Sequence, residues 1–249
     1  YEKKILTKKD TDGLEMTWGN GEAILEMLNR IARREGFGDI LAEGVMRASQ
    51  KIGKESQKLA IHTLKGNTPR SHDHRAVWLE LFDTCVSNTG TLEAHSVAPY
   101  KLLGIPTPID SFNPEVIPVI DAKIKGAMIF EDSMVTCRFN TNSNLELLSQ
   151  AVNAATGWNI NVAEAMIIGK RAVNLARVFN LLHGIKAELD APSLRYGSTP
   201  LDGLVAGRGI LPHWDKMLRT YYRMMGWDEN TGIPLPETLK NLALDDVID

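Results

Sequence analysis

The chain has 249 residues, 43% of them hydrophobic and 24% charged, which suits a soluble globular protein with a sizeable apolar core. Its 28 Lys and Arg against 31 Asp and Glu leave a formal net charge of −3, so there is no electrostatic ground for nucleic acid or an anionic membrane as partner. No apolar run reaches the roughly 20 residues of a spanning helix. Two cysteines, Cys85 and Cys137, are too few for a disulfide framework, an all-cysteine zinc site or a four-cysteine iron–sulfur site. The composition fits a reducing, cytoplasmic compartment, and the charged opening from Tyr1 to Asp12 is not a signal peptide.

The first predicted element lies after Gly19. Asn20 can cap a helix, Glu22 complements the dipole of its first turn, and Ile24, Leu25, Met27, Leu28 and Ile31 recur with a helical period. The run from Arg33 to Asp39 stops it, with Gly36 as the expected C-terminal cap. Ile40, Leu41, Val45 and Ala48 predict a second amphipathic helix ending at Lys51-Ile52-Gly53, so that the two form a hairpin. Leu59 to Leu64 reads as a strand or an extended piece, and Lys65 to His74 is polar and turn-forming. A helix is predicted from near Arg75 through Trp78, Leu79, Leu81 and Phe82, failing near Ser87-Asn88-Thr89-Gly90. Residues 99–118, with five prolines, read as a connector between helical layers.

The remainder predicts helices over Ala122 to Cys137, Ser143 to Thr156 with Gly157 as its stop, Asn161 to Leu182, and Asp215 to Met225. The stretch Asn161 to Leu182 is apolar on most sides, which predicts burial in the core. Pro192 to Gly209 reads as an ordered surface loop. Strand signals are few, so the fold class is all-α.

Several residues can carry chemistry. Cys137 closes Asp132-Ser133-Met134-Val135-Thr136-Cys137; a thiolate is a soft metal ligand, but a lone cysteine at a helix end is more often a small core residue. Cys85, with no second cysteine nearby, reads as a buried thiol. His72 and His74 are two apart, a metal-ligand spacing, in a segment that otherwise reads as a solvated loop with no third ligand placed. Lys65, Arg70, His72, His74 and Arg75 make that loop locally basic, suited to a phosphate or carboxylate or simply exposed. Glu93 and His95 bring a carboxylate and an imidazole close enough for an acid–base pair, or for an ordinary surface hydrogen bond.

A set of stretches resembles the tungsten-dependent aldehyde:ferredoxin oxidoreductase family, in the family's order and over nearly the whole chain. They run from Thr11-Asp12-Gly13 to Gly21, from Arg33 to Asp39, from Leu41 to Val45, then Thr156-Gly157-Trp158, Gly169-Lys170-Arg171 with Phe179-Asn180, Tyr221 to Asp228, and Gly232-Ile233-Pro234-Leu235-Pro236. The resemblance implies the end of the second domain (1–65) and the third domain (66–249) of a three-domain oxidoreductase, both helical. Its β-rich first domain and three clustered cysteines would lie on the N-terminal remainder of the same protein.

On that resemblance Cys137 becomes a [4Fe–4S] ligand and Asp132 an acceptor for a pterin amine, although Val135 and Thr136 stand where the family has Gly and Leu. Glu93 falls about where aldehyde-oxidising members have a histidine proton donor, and Glu93 with His95 are the implied proton-handling residues. The implied activity is oxidation of aldehydes to carboxylic acids, with a bis-pterin tungsten cofactor, the cluster, and ferredoxin or an electron-transfer subunit as acceptor. The chain alone would be inactive and bind none of these, and a homo-oligomer is compatible with it. The loop from Lys65 to Arg75 looks closer to the tungsten benzoyl-coenzyme A reductase branch. Two alternatives remain open from the residues alone: a cofactor-free helical structural or interaction subunit, and a metal module built on His72 and His74.

Overall fold

The computed structural model describes residue 1, residues 3–94 and residues 98–247, without the side chains of 98 and 99. Among these the structure is helical, with no strand. In chain order the helices are α1 (Gly21–Arg33), α2 (Phe37–Leu41), α3 (Gly44–Ile52), α4 (Trp78–Val86), α5 (Ala98–Leu102), α6 (Ile117–Ile124), α7 (Ala127–Ser133), α8 (Arg138–Thr141), α9 (Leu145–Thr156), α10 (Val162–Leu182), α11 (Trp214–Met225) and α12 (Pro236–Asn241).

Asn20 caps α1 as its sequence position predicts, accepting from the Ala23 N–H at 3.2 Å. The stop differs. Arg34, not Gly36, takes the left-handed conformation at the C-terminus of α1, and its guanidinium holds Asp39 and Glu43, each at 2.8 Å. Gly36 instead opens α2, where a side chain would run into Asp12. The single helix expected from Ile40 to Gly53 is two, broken before Gly44 at φ +82°. Leu59 to Leu64 does not become a strand: Thr63 makes one bridge to Pro192, and the Ser193 N–H donates to the His62 carbonyl at 2.8 Å.

The expected helix from Ala122 to Cys137 is also divided. It stops after Ile124, Gly126 turns at φ +107°, and α7 starts afresh. The cause is close packing. A Cβ on Gly169 of α10 would fall on the Gly126 carbonyl oxygen, and one on Gly126 would sit 2.9 Å from the Lys170 backbone nitrogen. Two glycines thus let α10 press against the entry to α7.

The main core joins α4, α6, α10 and α11: Leu81, Phe82, Cys85 and Val86 meet Ile117, Val173, Met217 and Tyr221. Phe82 packs on Trp214 and Tyr221 with ring centroids 5.3 and 5.6 Å apart. A second cluster gathers Phe130, Leu145, Leu148, Ala165 and Met166 between α7, α9 and α10. Asn144 and Gly157 delimit α9 as the sequence indicates, and Asn161 with Glu164 forms a reciprocal capping box on α10.

The expectation that α10 is buried on most sides is corrected. Ala165, Val173 and Arg177 are buried, but Ile167, Leu175, Phe179 and Leu182 are 42–80% exposed. Hydrophobic periodicity reports a face that avoids water, and α10 has two such faces, one of them open here.

The close approach at Gly169 leads to a direct test. Gly169→Ala forces the Gly126 carbonyl and α7 to shift, and a loss of about 1–3 kcal/mol is expected for such overpacking. Chemical denaturation of the variant protein reads this loss; unchanged stability would show that the α7–α10 contact yields freely.

Candidate functional site

Asp83 on α4 is placed by the core packing of its neighbours so that one carboxylate oxygen accepts from the backbone N–H groups of Glu93 and Ala94, at 2.7 and 2.9 Å. The other oxygen pairs with the ammonium of Lys125, at the break between α6 and α7. Lys125 also faces Glu93 at 3.3 Å and Asp121 at 3.8 Å. All four residues are 0–1% exposed. Burial disfavours the charge on Lys125, but the carboxylates of Asp121 and Asp83 outweigh it and push the ammonium up. Burial, reinforced by the neighbouring Asp83 and Glu93 carboxylates and opposed by Lys125, pushes Asp121 well above the usual carboxylate range.

Glu93 is therefore not on an open surface. Its Oε1 accepts from the N–H groups of Asn88 and Thr89, at 2.9 and 2.8 Å, and fixes the turn that ends α4. Ser87 Oγ accepts from the N–H of Gly90 at 3.1 Å, and Asn180 of α10 donates to the Asn88 carbonyl at 2.8 Å. Gly90, at φ +80°, packs where any side chain would meet the amide of Asn67. His95 lies outside the described residues.

A second buried network binds the 65–74 loop to the helices. Lys65 Nζ reaches Asp190 at 2.6 Å and the Ser87 carbonyl at 2.8 Å. Arg177 of α10 donates to the other Asp190 oxygen at 2.8 Å, and Tyr222 of α11 to that same oxygen at 2.5 Å. Burial alone would lower Arg177, and Asp190 overcomes this and raises it. Lys65, read from sequence as part of a basic loop face, is 6% exposed and internal.

In the rest of that loop, Arg70 pairs with Glu80 at 2.8 Å, and buried His74 shares a 2.6 Å hydrogen bond with the Tyr196 hydroxyl. His72, His74 and Glu80 offer ligand atoms within 4.8 Å of one another, so Glu80 is the third donor that the histidine spacing alone did not place. It comes from the first turn of α4, and only the fold brings it back to the loop. A cavity of about 630 Å³ opens beside it, lined by Arg70, His72, Tyr100, Ile109, Arg138 and Phe139 among others.

Arg138 brings this cavity next to Cys137. Cys137 stands just before α8 and is exposed, which corrects the reading of a lone cysteine as a core residue. Asp132, on the last turn of α7, is exposed and raised by partial burial against the pull of Arg138. Between them Val135 is held at φ +59° and is 95% exposed. Cys85 is the buried thiol expected, and burial pushes it well up.

Residues 1–244 match the family model described as aldehyde ferredoxin oxidoreductase, domains 2 and 3. The chain belongs to the aldehyde ferredoxin oxidoreductase family. The tungsten-containing aldehyde ferredoxin oxidoreductase of Pyrococcus furiosus is 30% identical over 256 residues, covering 98% of this chain and 40% of that protein. The enzyme of the same name from Pyrococcus horikoshii is 28% identical over 260 residues, 99% of this chain and 41% of that one. The aliphatic sulfonate oxidoreductase, WOR-like subunit, of Pyrococcus furiosus is 30% identical and covers 98% of this chain and 38% of its own. The chain thus spans about two-fifths of the length of these relatives. Among solved structures, the active-site complex BamBC of benzoyl coenzyme A reductase with 1,5-dienoyl-CoA matches with a TM-score of 0.74 and 20% identity, over 99% of this chain and 42% of that chain. At that identity the match shows the shared helical fold.

Asp190 holds two cations and a phenol in place, so its loss leaves buried charge unpaired. Asp190→Ala is expected to cost about 3–5 kcal/mol, measured by urea unfolding; a cost below about 1 kcal/mol, as for a surface pair, would show that the network is not a structural anchor.

Proposed function

We propose that this chain is the helical C-terminal part of a tungstopterin oxidoreductase that oxidises aldehydes to carboxylic acids and passes electrons to ferredoxin or a partner subunit. The observation that carries the reading is Cys137. It is a thiol on the surface of the fold, at the end of a strained and exposed turn, and the resemblance assigns that position to a cluster ligand.

The donor set fits in part. Cys137 can supply one thiolate to a [4Fe–4S] cluster, and Asp132, five residues earlier and also exposed, can accept from a pterin amine. Cys85 is buried on α4, so the other three thiolates come from residues beyond this chain. When bound, the tungstopterin exchanges two electrons with the substrate and the cluster carries them away singly. What this chain contributes is position and proton handling. The Asp83–Lys125–Glu93 pairing fixes the 87–90 turn, which the resemblance puts toward the tungsten, and Glu93 and His95 are the residues we assign to moving protons there. Oxidising an aldehyde with water to an acid releases protons as well as electrons, so a carboxylate held at that turn is suited to receive one.

The cavity favours one further reading. Arg138 on a largely apolar wall, where Arg70 is paired with Glu80, suits an apolar substrate with an anionic group, as an aryl-coenzyme A reductase of the same family would take.

The ligand assignment is checked in the full-length protein. Cys137→Ala is expected to abolish the electron-paramagnetic signal of the reduced cluster and lower iron content, whereas Cys85→Ala leaves both in place. A full cluster signal in Cys137→Ala would overturn the assignment.

A further inference from the structure

The buried group around Lys125 sets three carboxylates against one ammonium. Asp83 accepts from two backbone N–H groups and from Lys125, which stabilises its anion. Glu93 accepts from two backbone N–H groups through Oε1 and faces Lys125 through Oε2. Asp121, fully buried, has no well-formed hydrogen bond to either oxygen among the described residues; its carboxyl lies against that of Asp83, and its nearest cation is the same Lys125, 3.8 Å away. With all three carboxylates ionised, one ammonium would face three anions in a space closed to solvent. The neutral form of one is strongly favoured, and it falls to the one with the fewest donors.

We infer that Asp121 stores a proton and exchanges it with Glu93 through the ammonium of Lys125, so that one proton is shared between the two carboxylates and either can be the open acceptor for the site that Glu93 serves. The inference rests on the reading that Glu93 serves that site. The exchange balances without other reactants. Lys125 Nζ gives a proton to Glu93 Oε2 and takes the one from the Asp121 carboxyl; Glu93 becomes the neutral acid, Asp121 the carboxylate, and Lys125 is an ammonium again. The charge of the group is the same before and after. Glu93 can therefore gain a proton without the buried site changing its net charge, and the cost of the exchange is that of ionising Asp121, which has fewer donors than Glu93.

The groups that face Asp121 all bear on its titration. They are Asp83 of α4, Glu93, Lys125, Tyr221 of α11 and Tyr100 of α5, the phenols being raised by burial in the same place. A carboxyl raised in the native state keeps a proton that the unfolded chain has released, so its contribution to stability falls as pH rises past the usual carboxylate range. Asp121→Asn is expected to flatten that decline in urea unfolding across pH.

Infrared spectroscopy of the full-length protein at neutral pH tests the inference without reference to turnover. A carbonyl stretch of a protonated carboxyl is expected above the amide band, shifted by carbon-13 aspartate labelling and missing in Asp121→Asn. In deuterated water the band shifts as the proton exchanges, and Glu93→Gln, which cannot take up the proton, is expected to slow that exchange about tenfold or more. No such aspartate band would overturn the store, and an exchange rate unaffected by Glu93→Gln would overturn the route. Either failure is separate from the cluster signal of Cys137→Ala, which alone tests the tungstopterin reading.

Discussion

Lys125 binds together segments that are far apart in the chain. Its ammonium meets Asp83 from α4, Glu93 from the segment that follows, and Asp121 from α6, and it lies 5.7 Å from the ring of Tyr221 on α11. A buried cation is costly unless paired and hydrogen-bonded, and these partners are held by the backbone, so the chain is constrained to bring them together. The break between α6 and α7 follows from this. Lys125 leaves helical geometry, Gly126 turns, and α10 packs its Gly169 into the space where a side chain would stand. The 87–90 turn follows as well, since Glu93 fixes it from below.

Much of the fold was legible because it depends on local chemistry. Asn20, Asn144 and Asn161 cap the helices their positions suggest, and Gly157 ends α9. What was not legible depends on contacts across the chain. Nothing local marks Lys125 as buried, because an isolated lysine in a helical pattern is normally solvated. Its spacing of four from Asp121 is a helical ion-pair signal, but it does not tell a surface pair from a buried one. Lys65 misled in the same way, since its partner Asp190 is 125 positions later.

The candidate site divides along the same line. Cys137 and Asp132 were singled out through family resemblance, and the fold shows that both are exposed. Glu80 was missed beside His72 and His74 because α4 first had to be placed against the loop. The open face of α10 is a third case. A helix apolar on two sides says that both prefer contact, and only the fold shows which contact this portion supplies.

The two buried networks are complementary through α4. Lys65 and Arg177 against Asp190 leave one positive charge in excess; Lys125 against Asp83 and Glu93, with Asp121 neutral, leaves one negative charge in excess. Asp83 belongs to the negative group, and the carbonyl of Ser87, just past the end of the same helix, accepts from Lys65 of the positive one. The thiol of Cys85 lies between and feels Lys65, Asp190 and Asp83 together. In a medium that screens poorly, neighbouring excesses of opposite sign lower each other's cost. A net loss or gain of charge in either group would disturb that balance. Exchange of a proton between Asp121 and Glu93 would not, because it moves charge within one group while the total stays fixed. A rigid pair of networks and a mobile proton are compatible on that condition.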